Sequence, residues 1–302
     1  MWPFSASMQS VWLVLYLATW ALHAVFVSFV AIGSGYALLR KDELADKVRD
    51  WLPFMLGAGI TAGVAPLLFL QMLYQRRFYT ANLLMGPRWG AVVPALIVGF
   101  YALYFAKAKL RWRRPALAVG CVCFGFVAWS WTEIHQVMLA DAHWQAMYAA
   151  GDRLYADPAI ILRLAMWLGC MAALFALVAS YLAPSRRLAI VALVGIGVAT
   201  TCALVAGWDA AHGWTYILVA AAAGAAGAWL SIAVTGRGLV VATGATAAAL
   251  VAGAVVREAP RLGVLEPVRD AAVEAGGLPV FLLTLVAGIA AIAWIVRTVR
   301  AA

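Results

Sequence analysis

The chain has 302 residues, 66% of them hydrophobic and only 12% charged, with a formal net charge of +9. A mean hydropathy of +0.93 over that length exceeds what a soluble domain carries and points to a polytopic membrane protein. The basic residues are scattered among short loops and are not gathered on one face with exposed aromatics, which excludes nucleic-acid binding.

A membrane-spanning helix needs about 20 apolar residues. Measured against that length, the apolar runs predict nine helices, at 11–39, 51–75, 89–106, 115–140, 158–183, 187–207, 214–235, 238–256 and 279–298. Every backbone group in such spans must be satisfied within its own segment, which excludes strands. The expected fold class is all-α, a polytopic transmembrane helical bundle of about nine helices embedded in a lipid bilayer. The first run is too long for a signal-peptide core and follows no basic segment, so it is expected to be retained as a helix. With the N-terminus outside, the inner loops and tail carry fourteen Lys and Arg and the outer loops seven, predicting an N-out, C-in topology.

The first helix carries His23 near its middle, where no water is at hand to satisfy an imidazole. Tyr16, Thr19, Trp20 and His23 recur at three- and four-residue steps, so this polar stripe should face the bundle interior. Two readings follow for His23: a hydrogen bond to a neighbouring helix, or an axial ligand to haem iron. In the second helix, Gly59-x-x-x-Gly63 is a small-residue motif that allows close helix approach.

The fourth expected helix ends in Trp129, Trp131, Glu133, His135 and Gln136. Glu133 reads either as a catalytic, proton-handling carboxylate or as an interfacial residue paired with an arginine. His135 lies on another face, with Trp131 and Met138, and is a secondary candidate for cofactor binding; the plainer reading is a wet interfacial histidine. The fifth helix should open at Asp157-Pro158, a cap followed by proline at the first position, and contains Arg163 and Met166. Arg163 would pair with a carboxylate or a haem propionate, or reach outward to the interface. The four cysteines, Cys121, Cys123, Cys170 and Cys202, fall inside apolar runs with no metal-binding spacing and read as packing residues.

Composition shifts near residue 184. Residues 1–183 hold most of the Trp and Tyr and three of the four histidines, whereas 184–302 run to Ala, Val and Gly and read as packing helices of the same membrane domain. Chemistry is therefore expected in the first five helices. Residues 257–278, with Arg257, Glu258 and Arg261 among apolar positions, read either as a solvated loop or as an interfacial amphipathic helix.

His23 followed by Phe26 and Phe29, the run Gly63-Val64-Ala65 leading into Gln71 and Tyr79, and the Asp157-Pro158 helix start together resemble subunit I of the cytochrome bd-type quinol oxidases. The resemblance covers roughly residues 10–183. It implies an electron-transfer subunit of a bacterial cytoplasmic (inner) membrane, binding b-type haem and exchanging electrons between quinol and a partner cytochrome or second membrane subunit. It also implies that His23 is a haem iron ligand, with Met166 at the position of a second one. The family's carboxylates have no counterpart at Leu70, at Gln71 or across 91–106, and the loop 208–213 is too short for its quinol-binding loop, so oxygen reduction is not implied. The alternative class is a non-redox membrane protein, a transporter or a structural subunit, that keeps the bundle without cofactors.

Overall fold

The computed structural model describes residues 6–108, 110–151, 154–206 and 213–262, together with a few helical residues between 282 and 290. Contacts divide the chain into two units, Trp12–Glu266 and Met1–Val11 with Pro267–Ala302. Among the described residues there are ten α-helices and no strand: α1 Ala6–Leu39, α2 Glu43–Leu73, α3 Gln75–Leu84, α4 Gly86–Ala108, α5 Arg113–Leu139, α6 Trp144–Ala150, α7 Pro158–Leu182, α8 Arg186–Ala206, α9 Trp214–Thr235 and α10 Leu239–Leu262. Eight of them, all but α3 and α6, are long and apolar enough to cross a bilayer. The expected all-α membrane bundle is therefore observed. The ninth expected span, 279–298, and the loop around Asp209 and His212 fall outside the continuously described residues.

The helix ends follow local chemistry. Asp42 caps α2 by accepting a hydrogen bond from the Ala45 N–H at 2.9 Å, and Glu43 and Asp46 favour the positive end of the helix dipole. These charged turns carry α2 back to Glu43, before the apolar run that marks its membrane portion. The same helix continues through Pro53 and Pro66 without a break. Asp157 caps α7 by accepting from the Ala159 N–H at 2.7 Å, with Pro158 in the first turn, as the sequence predicts. Two connections expected as plain loops contain helices of their own, α3 and α6, and α6 stops at Gly151 in the left-handed conformation (φ 69°). At the far end, α10 runs on to Leu262, so Arg257, Glu258 and Arg261 belong to a membrane-spanning helix.

Packing joins the Trp-rich and Ala-rich parts in the single unit Trp12–Glu266. Phe29, Val48, Leu52, Leu103, Phe175 and Trp229 are among the residues of one continuous core. A Cβ added at Gly169 would stand 2.5 Å from the Gly195 carbonyl oxygen, and one at Gly195 would stand 2.5 Å from that of Gly169, so α7 and α8 touch backbone to backbone. Trp229 Nε1 donates to Thr246 Oγ1 at 2.9 Å and fastens α9 to α10. Hydroxyls within the spans, such as Thr132 and Ser180, donate to carbonyls four residues back and so need no partner from lipid. The outward faces are apolar, with Val14, Val122, Ile161, Val194 and Val240 all exposed, as a bilayer environment requires.

Where α1 gives way to α2, charges are paired and mostly half-exposed. Asp42 meets Arg40 (3.6 Å) and Arg187 (3.3 Å), and Asp46 meets Arg49 (2.8 Å) and Arg113 (2.7 Å). Asp50 also accepts from Arg49 at 3.0 Å. These pairs tie together the ends of α2, α5 and α8.

Candidate functional site: a buried cationic cluster beside His23

The polar stripe of α1 does face inward: Thr19 donates to the Leu15 carbonyl of its own helix, and His23, Trp20 and Tyr16 each reach a different helix. His23 turns to α2, where its Nδ1 lies 2.8 Å from the Gly59 carbonyl oxygen. A carbonyl only accepts, so the proton sits on Nδ1 and the Nε2 lone pair is left uncommitted by this bond. The ring lies on Gly63, where an added Cβ would come 2.8 Å from His23 Cε1 and 3.0 Å from Nδ1. Gly59 and Gly63 thus seat a side chain: one supplies the acceptor and the other the space. One turn away, Trp20 packs on Trp167 of α7, ring centroids 4.5 Å apart. A further turn along, the buried Tyr16 accepts a hydrogen bond from Arg261 Nη2 at 2.8 Å.

Arg261 is the centre of a network that sequence reasoning missed. Its Nη2 also donates to Glu258 at 2.6 Å, and the other Glu258 oxygen accepts from the Tyr74 hydroxyl at 2.6 Å. Its Nη1 lies 4.0 Å from Met138 Sδ on α5, and its guanidinium stands 5.1 Å from the Tyr74 ring centroid. Arg261 and Glu258 are each 1% exposed. One turn back on the same face of α10, Arg257 sits beside the packed indole pair, 4.9 Å from the Trp20 ring and 5.1 Å from that of Trp167. Its buried Nε has no hydrogen-bond partner among the described residues.

The remaining expected site residues fall around this network. Arg163 is 1% exposed, shares a face of α7 with Trp167, and is near enough to Arg257 and Arg261 for the charges to act on one another. His135 is 4% exposed, so it is buried, contrary to the wet interfacial reading, and neither ring nitrogen has a hydrogen-bond partner among the described residues. It lies one turn before Met138 on the α5 face that meets Arg261. Met166 is fully buried in an apolar cluster with Trp167, Ala199, Leu218 and Val256, alongside Trp20. Its surroundings are those of a packing methionine.

Glu133 is 1% exposed and fully engaged. It forms an ion pair with Arg88, accepts from Trp129 Nε1 at 3.0 Å, and accepts from the Tyr155 backbone N–H at 2.7 Å. Of the two sequence readings, the arginine-paired one describes its contacts: the carboxylate joins α4, α5 and the strap leading into α7. Beside it, Arg77 donates to the Met138 carbonyl at 2.9 Å and to Asp141 at 2.7 Å. That hydrogen bond and the Arg77 charge hold the Asp141 carboxyl below the usual carboxylate range.

Arg257, Glu258 and Arg261 escaped the hydropathy reading because their charges end the apolar run. Their spacing was the available signal, since i, i+1 and i+4 place both arginines on one face and Glu258 within i+3 reach of Arg261. Comparison with known protein families and with curated proteins finds no match for this chain. No group of His, Cys, Asp and Glu among the described residues has the arrangement of a metal-ion cage. Haem needs less from the protein, a single imidazole with a free lone pair whose other nitrogen donates to a carbonyl, and His23 meets that requirement.

Proposed function

We propose that this chain is an integral-membrane electron-transfer subunit that binds b-type haem through His23 and exchanges electrons between quinol and a partner redox protein. The observation that carries the reading is the His23 Nδ1–H bond to the Gly59 carbonyl, which fixes the tautomer and directs metal ligation to Nε2. The resemblance of residues 10–183 to the bd-type oxidase subunit supports the same role. Bound haem would supply one-electron redox chemistry. The chain's own residues hold the imidazole in register through Gly59 and Gly63, and place positive charge from Arg257 near it. His135 and Met166 are the candidates for a second ligand; His135 is the better placed of the two because its nitrogens are uncommitted, whereas Met166 packs among alanine and leucine. The bias of Lys and Arg among the loops supports an N-out, C-in orientation in a bacterial cytoplasmic membrane.

A reduced-minus-oxidised visible spectrum of the purified full-length protein tests this. A b-type band, lost in His23→Ala and in Gly63→Leu, is the expected result; a colourless, correctly folded preparation overturns it. One observation favours the alternative of a non-redox transporter or structural subunit: both Glu133 and Glu258 are fully committed to ion pairs and hydrogen bonds, which leaves neither free to carry protons.

A further inference from the structure

We propose that Arg257 and His135, with Arg261 and Arg163 behind them, form a buried binding site for an oxyanion, a carboxylate or phosphate group. The inference does not rest on the haem reading. Its first ground is charge. Among the described residues the cluster sets the guanidiniums of Arg257 and Arg261 beside one carboxylate, Glu258, and both oxygens of that carboxylate are taken by Arg261 and Tyr74, which leaves none for Arg257. A guanidinium withdrawn from water needs a counter-ion as well as ring faces, because aromatic rings return only part of the lost solvation.

The second ground is unmet hydrogen bonding. Arg257 Nε and both nitrogens of His135 are buried and have no partner among the described residues. A neutral imidazole must carry a proton on one of its two nitrogens, so His135 offers a donor whichever tautomer is present. The third ground is register. Arg261 meets Met138 across α10 and α5, and α5 and α10 both run away from the end where Asp46 pairs with Arg113. One turn back on each helix therefore brings Arg257 and His135 to similar depth, with Trp20 and Trp167 walling the α1 and α7 sides. Donors from two helices, an aromatic wall and surplus positive charge suit a planar or tetrahedral oxyanion, and charge-assisted bonds from arginine are the strong ones for such groups.

That chemistry has three sources: the carboxylates of a bound haem, the phosphate of a lipid, or a free small anion. The full-length protein, purified in a neutral detergent, separates them by its visible spectrum, by phosphorus assay of an organic extract, and by melting against inorganic phosphate and acetate at matched ionic strength. The expected outcome is about one equivalent of anion per chain, either resident in the first two assays or added with a saturable rise in melting temperature in the third. Arg257→Gln should lower occupancy or affinity about tenfold or more, with Arg257→Lys and His135→Asn between it and the wild type. Glu258→Gln removes the cluster's carboxylate and should tighten anion binding, a change that a purely structural role would not produce. A wild-type protein with no resident anion and melting indifferent to both titrants overturns the proposal, and so does an anion retained unchanged in Arg257→Lys and His135→Asn. A colourless protein that binds phosphate through Arg257 would defeat the haem reading and leave this one standing.

Discussion

The two ends of the bundle handle charge in opposite ways. Where α1 meets α2, Asp42, Asp46 and Asp50 each have arginine partners and lie half-exposed, so water shares the work of solvating them. At the other end, Glu258 and Arg261 are buried at 1% exposure with tyrosines for company, and Arg257 adds positive charge that has indole rings but no carboxylate beside it among the described residues. The first arrangement is how a membrane helix finishes in an aqueous layer. The second is costly unless every buried charge finds compensation close at hand.

Removing one carboxylate from each end should have very different consequences. Glu258→Leu leaves Arg261 buried without its counter-charge and should destabilise the protein by about 3–5 kcal/mol, read as a large drop in melting temperature in detergent. Gly195→Ala tests the packing that holds the bundle together, since its Cβ would meet the Gly169 carbonyl at 2.5 Å. It should cost about 1–3 kcal/mol, and an unchanged melting temperature would mean that α7 and α8 can separate freely. Asp46→Ala, at the exposed end, removes two ion pairs yet should cost only about 0–1 kcal/mol, because the carboxylate it deletes is half in water. A loss as large as that of Glu258→Leu would erase the distinction between the ends.

The smallest effect concerns pH. Asp141, held below the usual carboxylate range by Arg77, favours the folded state while ionised, so its contribution is present above the unfolded-state value and fades as pH falls through the lowered native one. The wild type should lose slightly more stability than Asp141→Asn in mildly to strongly acidic solution. Equal acid sensitivity of the two proteins would show that the Arg77 contact contributes nothing.

Much of the fold was readable because hydropathy and caps are local properties. The runs around His23 and Cys170, the Asp157-Pro158 start and the inward stripe of α1 all emerge from spacing alone. Glu133 could be narrowed to two roles but not resolved, because its partner Arg88 lies 45 positions away and only the antiparallel crossing of α4 and α5 brings them together. The α10 cluster was hidden for a different reason. Hydropathy treats arginine and glutamate as boundary markers, and it has no means of registering that Tyr74, 184 positions from Glu258, completes a buried network around them. The Ala-rich half was accordingly expected to be scaffold, whereas α10 within it supplies the most concentrated buried charge among the described residues.

The seat of His23 carries a mechanical consequence. Its hydrogen-bond acceptor is a main-chain oxygen, which no side-chain replacement can delete, and the cradle beneath it is an absent side chain. The ring's proton is therefore governed by where α1 lies along α2, not by the identity of a neighbouring residue. Sliding the two helices along each other by a fraction of a turn would break the Nδ1 bond and lift the ring from Gly63 together.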